Sequence, residues 1–127
     1  MEYIKLAVRL PANRRPTHPG EMLLEEFLKP LGMSQAELAK RIGVSYVRVN
    51  ELVKGKRALT PDTALRLSRL FGNSVAFWLN GQLECDMWEA LHSPAMAEIE
   101  KIEPLGLDRT IPGEGDEGDS AERAAAD

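Results

Sequence analysis

Residues 33–57 read MSQAELAKRIGVSYVRVNELVKGKR, and the placing of small, apolar and capping residues within them decides the fold. Counted from Gln35, Ala39 is small where two helices would cross closely, and Gly43 stands at a tight turn that needs positive φ. Ile42, Val44, Val49 and Leu52 recur so as to point into one shared core. Ser34 with Glu37 makes a capping box, and Ser45 caps a second helix beyond the turn. A chance amphipathic run needs neither the turn glycine nor caps at both starts. Their agreement predicts a helix-turn-helix, with helices over about 35–42 and 46–54.

A helical hairpin without any nucleic-acid role would explain the core positions alone. The second helix carries more, because Tyr46, Val47, Arg48, Asn50 and Glu51 are not required by the core. In a recognition helix the N-terminal residues approach base edges in the major groove while flanking groups hold phosphates. By chemistry alone, Arg48 suits a bidentate pair with guanine, Asn50 suits adenine and Val47 suits a thymine methyl. Lys54, Lys56 and Arg57 follow in the next loop, placed to grip a sugar-phosphate chain, with a solvated basic loop as the alternative.

The net charge of −4 argues against a DNA-binding role until it is divided along the chain. Residues 1–72 hold 13 Lys and Arg against 7 Asp and Glu, a charge of +6, whereas residues 73–127 hold 3 against 13, a charge of −10. The basic half coincides with the helix-turn-helix, where phosphate binding needs it.

Working outward, Thr17 or His18 followed by Pro19 starts a first helix whose core stripe is Leu24, Phe27, Leu28 and Leu31, ended by Pro30 and Gly32. Thr60 before Pro61 opens a fourth helix to about Phe71, with Ala64, Leu65, Leu67 and Phe71 on its apolar side. Ser74 caps a fifth helix that continues to Leu91 unless Gly81 kinks or breaks it. Phe77, Trp78, Leu79, Leu83, Met87, Trp88 and Leu91 are more apolar surface than an edge helix needs. Part is core. The excess, Trp88 and Leu91 above all, points to a partner helix or subunit, and Phe77, Trp78, Met87, Trp88 and Leu91 are the candidate dimer interface.

The expected architecture is all-α: a basic arm over 1–16, a five-helix domain over 17–92 and a C-terminal extension over 93–127. At 127 residues the chain is one domain by length. Tyr3 to Val8 alternates as a short strand or a disordered lead would, and Arg14 and Arg15 either touch a DNA backbone or form a solvated arm. After Pro104 the composition turns to Gly, Asp, Glu and Ala, which reads as a disordered acidic tail serving solubility, or else as a protease-sensitive or partner-binding segment.

No apolar run approaches the roughly 18 residues of a spanning helix, and MEYIKLAVRLPANRRP is not expected to be a signal peptide, so a cytoplasmic setting without a membrane is expected. The single Cys85 forms no internal disulfide and reads as a small semi-buried residue rather than a reactive one. No cofactor, metal site or catalytic residue is expected. His18 and His92 lie far apart outside any metal spacing, there is no Gly-rich phosphate loop, and Glu25 and Glu26 are adjacent on a helix and diverge. His18 belongs to a helix start and His92 to a surface.

The stretch from about Arg15 to Asn80 resembles the HigA family of antitoxins, Xre-type helix-turn-helix proteins of bacterial toxin-antitoxin modules. HPGE before the first helix, RVNELVKGKR closing the second half of the motif, TPDTALRL opening the fourth helix and FWLN in the fifth occur together and in order. A generic Xre repressor would share only the middle. The resemblance implies a five-helix Xre/lambda-repressor-like domain, a homodimer on a palindromic double-stranded operator, and a cognate HigB-type toxin, an RNase of the RelE-like class, as partner. It implies Gln35 and Ser45 at phosphates, Tyr46, Val47, Arg48 and Asn50 facing the groove, and Lys54, Lys56 and Arg57 near the backbone. Gly81 departs from the family, which commonly has Asn, Leu or a similar residue there, and the acidic tail lies beyond the shared stretch. The alternative is a stand-alone Xre regulator without a toxin.

Overall fold

A computed structural model describes residues 14–106, and its regular structure there is entirely helical. Helix α1 opens as Pro19–Leu23, widens through a π turn over Leu24–Leu28 and finishes as Lys29–Leu31. Four helices follow: α2 (Gln35–Ile42), α3 (Tyr46–Val53), α4 (Pro61–Phe71) and α5 (Val75–Leu91). A short α6 (Ala95–Ile99) makes a sixth where five were expected; the Ser93–Pro94 pair that precedes it is its only sequence signal. One compact unit runs through Met96 and a second begins at Ala97, in which Ile102 and Leu105 are exposed. The strand or disordered lead expected near Tyr3, and the acidic tail after Pro104 except for Leu105 and Gly106, lie outside the described residues.

Every helix start from α1 to α5 is capped by the side chain before it. The cap acceptors are His18 Nδ1, Ser34 Oγ, Ser45 Oγ, Thr60 Oγ1 and Ser74 Oγ. Burial and, after it, Arg15 lower the pKa of His18 from about 6.5, against the opposite pulls of Asp86 and Glu21. The folded chain therefore binds fewer protons there than the unfolded one. That contribution is complete above the unfolded pKa and is lost as pH falls below it toward the folded pKa. The unfolding temperature is expected to drop between about pH 7.5 and pH 5.5, and His18→Asn, which caps without titrating, should flatten that drop in a thermal melt series.

The core gathers Leu23, Leu28, Leu38, Ala39, Ile42, Val49, Leu52, Leu59, Ala64, Leu67 and Trp78, with Val44, Phe27 and Phe71 packed against it. Leu31 is 60% exposed, contrary to the expected stripe. The π turn takes up an extra residue, so the apolar face of α1 has rotated away by the time the chain reaches Leu31. The same turn accommodates Pro30, which lacks the N–H that an α-helix would use. Leu65 is also exposed, because Thr63, Ala64 and Leu67 are the residues of α4 that turn into the core, with Phe71 packed against it. Gly81 neither kinks nor breaks α5, which is continuous across it, with Pro19 of α1 lying alongside at ordinary contact distance from where a Cβ would be. Cys85 is buried, its thiol donating to the Pro16 and Thr17 carbonyls at 3.6 Å, and burial pushes its pKa up.

Candidate nucleic-acid interface

The two helices of the motif are set by short-range geometry. Gly43 adopts φ 72° and its N–H returns to the Ala39 carbonyl, ending α2 and turning the chain toward α3. Ser45 then fixes the first turn of α3 by accepting from Arg48 N at 3.1 Å. From across the domain, Arg66 Nη1 donates to the Ile42 carbonyl at 2.7 Å, satisfying a C-terminal acceptor of α2 and tying the turn to α4. On the inner side, α1 comes so close to the end of α3 that only glycine fits at position 20, where a Cβ would stand 1.7 Å from the Leu52 carbonyl oxygen. Sequence reading noticed HPGE as a block but not this contact; a glycine within a first helical turn, costing about 1 kcal/mol against alanine, was the available signal.

The outer face then follows residue by residue. Tyr46 and Val47 project from the start of α3, 53% and 62% exposed. Gln35 and Asn50 are brought together across the motif, with the Asn50 amide donating to Gln35 Oε1 at 2.9 Å. That bond orients both side chains while leaving the Gln35 amide and the Asn50 carbonyl for an outside partner. Ser45 is exposed beside them, its oxygen already serving as a cap. Lys54 and Lys56 are exposed beyond α3, where Gly55 takes φ 73° to turn the loop, and neither has a carboxylate within ion-pair distance among the described residues. Arg57 differs, because its guanidinium pairs with Glu51 at 2.9 Å.

Arg48, for which the sequence suggested a free outward side chain, is half-buried and bonded across to α4. Its Nη2 donates to Asp62 Oδ2 at 3.0 Å and to Thr63 Oγ1 at 2.8 Å, both at the start of α4. Asp62 also accepts from Arg66 Nε at 2.9 Å, and Arg66 first, with Arg48 beside it, holds this exposed carboxyl below the usual carboxylate range.

The five residues proposed for a subunit contact separate. Trp78 is fully buried, packed on Phe27 and Phe77 with ring centroids 5.0 Å away in each case, and its indole N–H donates to Asn73 Oδ1. It belongs to the core and presents nothing to a partner. Phe77 remains 42% exposed, while Met87, Trp88 and Leu91 are half-buried along the second half of α5, with the His92 ring stacked on Trp88 at 3.9 Å. Among the described residues no three His, Cys, Asp or Glu side chains gather as a metal site would require.

A capped, glycine-turned helix pair that exposes the beginning of its second helix beside two exposed lysines is the arrangement of a helix-turn-helix DNA-binding protein. Residues 24–78 match the helix-turn-helix family. The chain is 53% identical over 97 residues to virulence-associated protein I of Dichelobacter nodosus, covering 76% of this chain and 88% of that protein. It is 38% identical over 93 residues to antitoxin HigA-1 of Vibrio cholerae, covering 73% and 87%. Among solved structures it resembles Pseudomonas aeruginosa antitoxin HigA with the higBA promoter, at 41% identity and a TM-score of 0.67 over 72% of this chain and 99% of that one. The chain belongs to the HigA family of Xre-type helix-turn-helix antitoxins, which are DNA-binding proteins and not enzymes.

Proposed function

We propose that this chain is an antitoxin that represses its own operon as a dimer on a palindromic operator and neutralises a RelE-like, mRNA-cleaving HigB-type toxin by direct binding. The observation that carries the DNA half is the exposed start of α3, Tyr46 and Val47, framed by the Gln35–Asn50 pair and by Lys54 and Lys56. The Pseudomonas aeruginosa relative solved with the higBA promoter supports promoter binding as such. Val47 would meet a thymine methyl, Asn50 an adenine edge, and Gln35, Ser45, Lys54, Lys56 and Arg57 the phosphates.

Dimerisation has a physical reason: one helix reads few base pairs, and two half-sites about one helical turn apart multiply the discrimination. The contact is assigned to Phe77, Met87, Trp88 and Leu91, without Trp78. Support comes from the partial exposure of this line.

Two measurements test the reading. In a gel-shift titration against the promoter upstream of its own reading frame, Lys54→Gln with Lys56→Gln is expected to weaken binding across sequences. It should also reduce the steepness of log affinity against log salt by about 0.9 for each phosphate contact removed. An unchanged salt slope would remove these lysines from the interface. Co-expression with the neighbouring frame is expected to restore growth and yield a co-purifying complex; a neighbour that is harmless alone and does not co-purify favours a regulator acting without a toxin.

A further inference from the structure

Arg48 sits at the third position of α3, beside the outward-facing Tyr46 and Val47, yet both hydrogen bonds of its Nη2 run to α4. A guanidinium pairs with guanine O6 and N7 through one of two edges, Nη1 with Nη2 or Nε with Nη2. Nη2 belongs to both. With its two protons given to Asp62 and Thr63, Arg48 offers neither edge as a pair.

The clasp is anchored from behind. Thr63 is 5% exposed and its hydroxyl lies 3.3 Å from that of Thr60, so the acceptor cannot swing outward with the arginine. Asp62 is held by Arg66, whose other nitrogen caps the Ile42 carbonyl at the turn of the motif. One carboxylate thus joins the turn, the start of α3 and the start of α4, and opening it strips Arg48 of one charged and one neutral acceptor together.

We propose that Asp62, outside the recognition helix, determines operator specificity by withholding Arg48 from the bases and leaving Tyr46 and Val47 as the groove readers at the start of α3. This rests on the operator-binding reading above. Arg48 then makes no base contact in the wild type.

Base preferences of the full chain, selected from a randomised duplex library, are compared with those of Asp62→Ala, Arg48→Ala and the double variant. Asp62→Ala is expected to gain a guanine preference of about tenfold at one position of each half-site, matching a new bidentate pair. That preference should be absent from the wild type and absent again from the double variant, and Arg48→Ala alone should keep the wild-type profile. A wild-type guanine preference abolished by Arg48→Ala, or an Asp62→Ala profile identical to wild type, overturns the proposal. Should Asp62→Ala not fold, Asp62→Leu, which is of similar length and offers no acceptor, is read by the same criteria. A wild-type chain that selects no sequence overturns the operator-binding reading and this inference with it, an outcome distinct from the other two.

Discussion

Replacing Gly20 with alanine is expected to destabilise the domain by at least about 3 kcal/mol, at or beyond the upper end of ordinary overpacking. The added Cβ would stand 1.7 Å from the Leu52 carbonyl oxygen and 2.6 Å from its carbon. Both are backbone atoms of α3, so no rotamer change relieves the clash, and α1 and α3 have to separate. The sign is diagnostic. Helix propensity alone would favour alanine by about 1 kcal/mol, so the close crossing predicts a loss where local structure predicts a gain. In thermal unfolding the expected fall in Tm is on the order of 12–24 °C for a domain of this size. A Tm equal to or above wild type would show that the crossing is slack. Because Leu52 lies on the recognition helix, operator affinity should fall as well at temperatures where the variant is still folded.

Trp78→Ala is the second large effect, expected to cost about 3–5 kcal/mol through the cavity left by a fully buried indole. The ring fills the centre of an aromatic group with Phe27, Phe71 and Phe77. Its N–H also satisfies Asn73 Oδ1 at 3.0 Å, so Trp78→Phe should still lose about 1–3 kcal/mol, from the bond as well as from volume. Denaturant unfolding measures both losses. Sedimentation separates core from interface: if the chain associates as proposed, the folded Trp78→Phe variant is expected to associate as the wild type does, whereas weakened association would return Trp78 to a subunit contact.

Local signals explain why so much of the helical layout was readable. Ser34, Ser45, Thr60 and Ser74 announced the starts of α2 to α5, and Gly32, Gly43 and Gly72 marked stops, because caps and left-handed glycines act through bonds only a few residues apart. Periodicity failed where the period itself changed. The π turn of α1 rotated Leu31 into solvent, and no run of apolar letters reveals an extra residue in a turn. Gly81 misled in the other direction, since the cost of a mid-helix glycine is small against the packing that keeps α5 continuous beside Pro19.

Which residues are spare to the core was legible, but not how each spare side chain is engaged. Counting from Gln35 identified Tyr46, Val47 and Asn50 as residues outside the core, and the loop lysines by their charge. Arg48 was assigned to the same outward face because it too is spare on the helix; what engages it instead is Asp62, 14 residues away on α4. Trp78 moved from a proposed contact into the core for a similar reason, as one face of α5 is chosen by what α1 and α4 offer it.

Sequence alone determined the class of this protein: the helix-turn-helix, its caps and turn, the basic half that suits phosphates and the HigA family to which the chain belongs. These are set by interactions between near neighbours, or by composition, and a linear reading can see them. Tertiary structure alone decided which spare side chains face outward, why position 20 admits only glycine, and how Asp62, Thr63 and Arg66 hold the recognition helix. Those depend on distances between helices that meet only after folding, where sub-ångström packing and the competition for one guanidinium are settled.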